Sequence, residues 1–82
     1  MDAARRIAEE IARLDEAIGA SPADHLLYME RGKLHHRSGD FSSAMNDFIR
    51  VTELDAANAE AEGYIAFLGD IFAFRYAETY NP

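Results

Sequence analysis

Apolar residues recur near the start of the chain at the spacing of one helix face. They are separated by steps of four, three and four residues, which places them on one side of an α-helix. These positions are Ile7, Ile11, Leu14 and Ile18. We therefore expect helix one over residues 3–18, with Gly19 ending it in a left-handed conformation.

The second helix is predicted over residues 22–38, because Ser21 and the proline after it are typical of a helix start. Gly32 lies inside this helix, where glycine costs about 1 kcal/mol relative to alanine. A missing side chain lets a facing helix approach closely. We expect Phe41 or Phe48 to occupy the space that Gly32 leaves open.

A third helix is predicted over residues 41–54. Gly39 is placed to break helix two, and Asp40 is placed to accept hydrogen bonds from the free amides of the next first turn. The apolar positions recur at helical spacing and are expected to be buried. They are Phe41, Ala44, Met45, Phe48, Val51 and Leu54.

The fourth segment, residues 58–78, has more apolar residues than one helix face holds. They form two stripes about 100° apart. One stripe comprises Ile65, Leu68, Phe72 and Tyr76, and the other comprises Tyr64, Phe67, Ile71 and Phe74. One stripe can cover the hairpin before it, so we expect the second to be an exposed apolar patch of the kind that marks an interface. Gly63 and Gly69 favour a close neighbouring backbone. Alternatively, helix four bends around its own core and hides both stripes.

The chain contains an internal repeat. Residues 14–24 match residues 48–58 at an offset of 34, so that Leu14 falls on Phe48 and Ala17 falls on Val51. A period of 34 residues is that of a helix-turn-helix repeat that stacks on its neighbours.

The unit between these segments resembles the tetratricopeptide repeat family. The family pattern of aromatic, glycine and alanine positions is matched by Tyr28, Gly32, His35, Gly39, Phe41, Ala44, Phe48 and Val51. His35 stands where the family usually has tyrosine, and we interpret it as a packed replacement. Arg31 stands in place of the usual leucine, and Ala56 in place of the closing proline.

The resemblance implies an all-α fold of right-handed helical hairpins in an α–α superhelix. It predicts a single domain over residues 1–82, with a full repeat at about 25–58. Helix 3–18 would be the preceding half-repeat, and helix 58–78 would be the C-terminal capping or interface helix.

Composition narrows the possible functions. The 82 residues exclude a second domain, and the lack of cysteine excludes disulfides, a thiolate zinc site and a cysteine nucleophile. Fifteen Asp and Glu against eight Lys and Arg give a net charge of −7, which disfavours nucleic acids and acidic membranes. With neither a signal peptide nor a membrane span recognisable, we predict a cytoplasmic protein.

In the tetratricopeptide family, the first helix of each repeat lines an inner surface that binds peptides. By helical position, that face of helix two would carry Leu26, Met29, Lys33, His36 and Arg37. The basic side chains among them, with Arg31 nearby, favour an acidic or C-terminal peptide as ligand. Alternatively, this is a solvated face whose cations balance surrounding carboxylates. The two-carboxylate clamp of chaperone-binding members is not supported, because Met29 and Glu30 occupy the matching positions.

No catalytic or metal-binding pattern emerges. His25, His35 and His36 lack the three- or four-residue spacing of a helical metal pair. There is no glycine-rich phosphate loop and no nucleophile elbow. We therefore expect no enzymatic activity, no cofactor and no metal.

The sequence thus predicts a non-catalytic interaction module that forms a homodimer through the second stripe of helix four. The neighbour that a short repeat array lacks would then come from a second copy. The alternative is a purely structural unit for self-assembly or capping, with no peptide ligand.

Overall fold

The computed structural model describes residues 2–79, with side chains described for residues 2–74. This part of the chain forms four helices, which confirms the all-α prediction. They are α1 (Ala3–Ala20), α2 (His25–Ser38), α3 (Phe41–Leu54) and α4 (Ala59–Thr79). The helices pack in chain order, α1 on α2, α2 on α3 and α3 on α4. None of the described helices is long and apolar enough to cross a membrane.

The end of α1 differs from the prediction. Gly19 was expected to end the helix in a left-handed conformation, but the helix continues through it to Ala20, and Gly39 is the glycine with positive φ. The Ser21 amide donates to the carbonyls of Ala17 and Ile18, at 2.9 and 3.2 Å. Because these bonds satisfy carbonyls of the last turn, the left-handed residue is not needed.

The start of α2 also corrects the prediction, since Ser21 does not cap this helix. The cap is Asp24, whose carboxylate accepts a hydrogen bond from the Leu26 amide at 3.1 Å. Pro22 lies in the turn before the helix, where its carbonyl accepts the Tyr28 hydroxyl at 2.9 Å. That bond ties the turn to the side of α2, and the helix therefore begins three residues later than expected.

The connection between α2 and α3 confirms the predicted break and cap. Gly39 has φ of +87°, and the Asp40 amide donates to the His35 carbonyl at 2.9 Å. The Asp40 carboxylate accepts hydrogen bonds from the Ser43 hydroxyl at 2.8 Å and the Ser43 amide at 3.2 Å. These bonds lower the pKa of Asp40, because they favour its ionised form.

The core lies where α2, α3 and α4 meet. A Cβ added to Gly32 would lie 2.8 Å from the Phe48 ring, which confirms the close approach and selects Phe48 over Phe41. The fully buried Phe48 ring also stacks on Tyr64, with centroids 4.3 Å apart. Gly32, Phe48 and Tyr64 thus join the three helices in one stack.

One buried charge ties the first three helices together. Asp47 of α3 is 4% exposed and accepts two hydrogen bonds from Arg31 of α2, at 2.7 and 2.9 Å. Arg31 also donates to Asp15 of α1 at 2.9 Å. The two hydrogen bonds to Asp47, and then the one to Asp15, raise the pKa of Arg31 despite its partial burial. Half-buried His35 lies with Nε2 3.9 Å from Asp47 and Nδ1 3.9 Å from Asp40.

Candidate functional site

The predicted peptide-binding face of α2 is not a single surface. Met29, expected on that face, is 6% exposed and belongs to the core. Lys33 reaches across to α4, where its ammonium lies 2.6 Å from the Glu60 carboxylate. This hydrogen bond raises the pKa of Lys33. The Met29 assignment is therefore wrong, because the Met29 side chain packs into the core.

The basic cluster is also divided. Arg31 is bound to Asp47 and Asp15, and Lys33 pairs with Glu60. Exposed Arg37 is the cation of this set that the structure leaves facing solvent. For Arg31 and Lys33 the geometry favours the alternative interpretation, in which carboxylates balance the cations.

His36 lies among aromatic rings rather than on an open surface. Its ring centroid lies 5.4 Å from that of Phe41, 5.5 Å from Tyr64 and 5.8 Å from Phe67. Its Nε2 is the buried side-chain nitrogen of the described residues that has no hydrogen-bond partner. His36 thus joins α2 to the beginning of α3 and to α4.

The residues of the predicted second stripe of α4 differ in exposure. Tyr64 and Ile71 pack against the core, so they are not exposed as expected. Phe67 and Phe74 remain 54% and 66% exposed. The prediction of an exposed apolar patch therefore holds for these two rings, and the alternative that α4 hides both stripes is wrong.

The first stripe of α4 covers the hairpin as predicted. Leu68 is fully buried, and Ile65 and Phe72 are half-buried against the core. Tyr76, the last member of this stripe, lies outside the residues with described side chains.

A groove opens between α2 and the beginning of α4. Its volume is about 460 Å³, and its lining is largely apolar. The lining residues are His36, Ala59, Glu60, Gly63, Tyr64 and Phe67. The sequence did not indicate this groove, since it depends on how α2 and α4 lie across α3.

The glycines of α4 face open space within the chain. No atom lies within 4 Å of a Cβ added to Gly63 or to Gly69. The close backbone neighbour that these glycines favour is therefore not supplied by the described part of this chain. Gly63 instead forms part of the groove.

We define the α4 outer face as Gly63, Phe67, Asp70 and Phe74. Their spacing of four, three and four residues places them within one narrow sector of the helix. It combines an open groove, two exposed rings and one carboxylate. A face of this composition is suited to bind an apolar side chain of another protein.

No three His, Asp or Glu side chains of the described residues lie together as metal ligands. Compared with family models, curated proteins and solved structures, the chain has no match.

Proposed function

We propose that this chain is a small, non-catalytic, tetratricopeptide-like module that binds proteins through the α4 outer face. The observation that carries the proposal is the pair of exposed rings, Phe67 and Phe74, next to the groove between α2 and α4. Exposed apolar surface next to a concave site is typical of a protein-binding surface.

The internal packing supports a repeat-like unit. The helices pack in chain order, and Gly32 of α2 receives the Phe48 ring of α3. Both features are expected of a stacked helical hairpin, and the 34-residue offset relates α1 to α3 in the same way. The proposal extends this packing to the superhelical arrangement of the family and to a cytoplasmic location.

A second copy of the chain is the first partner that we propose. The dimer interface predicted from the sequence comprised Tyr64, Phe67, Ile71 and Phe74, of which Phe67 and Phe74 are exposed. Each buried aromatic side chain supplies about 150–250 Å² of contact area. A homodimer would cover both rings on each copy, which gives the chain the neighbour that a short repeat array lacks.

An acidic peptide is the second candidate ligand, because Arg37 is exposed on the α2 side of the molecule and His36 lines the groove. Such a peptide would place an apolar side chain in the groove and a carboxylate near Arg37. Lys33 contributes less than the sequence predicted, since Glu60 already neutralises it.

The proposal is tested with peptides displayed on phage and selected on the immobilised chain, together with sedimentation equilibrium of the free chain. We expect either self-association or an enriched peptide sequence, and we expect Phe67→Glu to abolish whichever is found. Arg37→Glu should abolish acidic peptide binding and leave self-association intact. Failure of the wild-type chain to associate or to enrich any peptide contradicts the function as a binding module.

A purely structural unit is the alternative. Helix α1 favours it, because this outer helix has no fully buried residue and so leaves a face for stacking on a neighbouring unit. Such a unit would self-associate but enrich no peptide sequence. An enriched peptide sequence therefore excludes the purely structural unit, whereas self-association alone is expected of both candidates.

A further inference from the structure

The α4 outer face includes both a residue that lines the apolar groove and an exposed apolar ring of the kind that fills such grooves. Gly63 lines the groove, with no atom within 4 Å of the place where a Cβ would lie. Phe74 is 66% exposed on the same face. The two residues are eleven positions apart in the sequence, and three helical turns leave them rotated by only about 20°.

Phe74 cannot reach the groove of its own chain. Eleven residues of helix span about 16 Å, and Gly63 and Phe74 lie on the same uninterrupted helix, Ala59–Thr79. A Phe74 ring that enters a groove at Gly63 must therefore belong to another molecule.

We propose that two copies pair along α4 in antiparallel orientation, with each Phe74 ring in the groove beside Gly63 of the partner subunit. This inference rests on the proposed function and names the occupant of the groove. The contact is reciprocal, as a two-fold interface requires, because groove and ring lie on the same face of the same helix.

The contact of Phe74 with Gly63 of the partner subunit, together with the two-fold symmetry, sets the register of the pair. Antiparallel pairing of Phe74 with Gly63 of the partner subunit also places Phe67 opposite Asp70 of the partner subunit. The two Asp70 carboxylates then lie near the two-fold axis. Their repulsion weakens the dimer, most strongly at low salt.

The contact area is compatible with a dimer. Two exposed rings on each copy supply about 400–600 Å² in total, given their exposed fractions and the usual area of an aromatic side chain. A standard interface buries about 1,200–2,000 Å². The four rings thus provide roughly a third of it, and the flanking surfaces of the paired helices would have to provide the remainder.

The glycines of α4 offer a matched test. Gly63→Leu fills the groove, whereas Gly69→Leu places the same side chain elsewhere on the same helix, where no atom lies within 4 Å of an added Cβ either. We expect Gly63→Leu to weaken dimerisation at least tenfold in sedimentation equilibrium, and Gly69→Leu to change it less than twofold. Circular dichroism of both variants checks that the helices remain folded.

Reciprocity is tested by mixing variants. Gly63→Leu and Phe74→Ala should each dimerise poorly, since each loses both ring–groove contacts. Their equimolar mixture retains one contact, Phe74 of the first variant in the open groove of the second. We expect the mixed dimer to be at least threefold tighter than either homodimer, and a mixture no tighter than its components contradicts the reciprocal contact.

Asp70→Asn tests the placement of Asp70 near the two-fold axis, and we expect this variant to strengthen the dimer, most at low salt. An unchanged dissociation constant contradicts the proposed alignment.

Equal weakening by both leucine variants contradicts the groove contact, while loss of the dimer on Phe67→Glu would retain α4 as the interface. A wild-type chain that stays monomeric contradicts the inference, yet peptide selection abolished by Phe67→Glu would still support the binding function.

Discussion

The α2–α3 hairpin and helix α4 contain similar residues but use them differently. In the hairpin, Gly32 admits the Phe48 ring, and Arg31 neutralises buried Asp47. Helix α4 also contains rings and glycines, but only some of them are packed, because the helix contacts the rest of the chain on one side alone. The hairpin and the inner side of α4 therefore form the core, and the outer side of α4 leaves two aromatic rings exposed.

Gly32 and Gly63 show the difference between the hairpin and α4 most directly. Both Gly32 and Gly63 lie inside helices, where glycine is unfavourable. Gly32 is explained by a ring 2.8 Å from where its Cβ would be, whereas Gly63 faces open space. A helical glycine thus indicates close approach only where the structure supplies the neighbour, and Gly63 is explained if the neighbour is another molecule.

The largest expected contrast is between two phenylalanines. Phe48 is fully buried and Phe67 is half exposed. Phe48→Ala should lower the free energy of unfolding by about 3–5 kcal/mol, enough to unfold much of a domain of this size. Phe67→Ala should change it by less than about 0.5 kcal/mol. Urea denaturation of the monomer measures both, and equal losses would contradict the division between core and surface.

The next contrast is between two arginines that both lie over the Tyr28 ring, with guanidinium carbons 5.6 and 5.9 Å from its centroid. Arg31→Met leaves Asp47 buried without its main partner, and should cost about 3 kcal/mol. Arg50 pairs with Glu53 at the surface, so Arg50→Met should change stability little. Thermal unfolding monitored by circular dichroism compares them, and a larger loss for Arg50→Met would contradict the role of the buried pair.

Replacing Gly32 and replacing Gly69 by alanine should have opposite effects on stability. Gly32→Ala forces a Cβ against Phe48 and should destabilise the chain by about 1–3 kcal/mol. Gly69→Ala meets nothing and should stabilise α4 by about 0.5–1 kcal/mol. Denaturant midpoints of the two variants give the sign directly. Stabilisation by Gly32→Ala would mean that the Phe48 ring moves away at no cost.

The smallest expected effect concerns the cap of α3. Hydrogen bonds from Ser43 lower the pKa of Asp40 below its ordinary 3.8. Its contribution is therefore present above that value and is lost as the pH falls through the folded-state pKa. Asp40→Ala should cost about 1 kcal/mol near neutral pH, and this cost should decline in acid. Ser43→Ala removes the hydroxyl bond but keeps the backbone bond, so the loss of stability in this variant should depend less on pH. A loss of stability in Asp40→Ala that does not change with pH would contradict the cap.

Local signals in the sequence predicted much of the fold. Helix three was placed at its observed bounds, because Gly39 and Asp40 act within a few residues of themselves. The packing role of Gly32 was also predictable, since glycine is costly inside a helix and needs a reason. The choice of Asp24 over Ser21 as the cap of α2 was not, because it depends on the Tyr28 bond to the preceding turn.

The candidate site was only partly predictable. Helical spacing grouped Tyr64 with Phe67, but it did not determine which ring would turn inward, since that depends on how α4 crosses α3. The burial of Met29 was missed for the same reason. The Arg31–Asp47 pair was missed because it joins two helices, and periodicity along one helix carries no information about the other.

The most direct test of the α4 outer face as an interface is the molar mass of the untagged wild-type chain, measured by light scattering with size exclusion over a concentration series. We predict a mass that rises with concentration from 9.2 kDa to twice that value and then stays constant, as a closed two-fold dimer requires. A folded chain that remains at the monomer mass at every concentration would contradict self-association through α4.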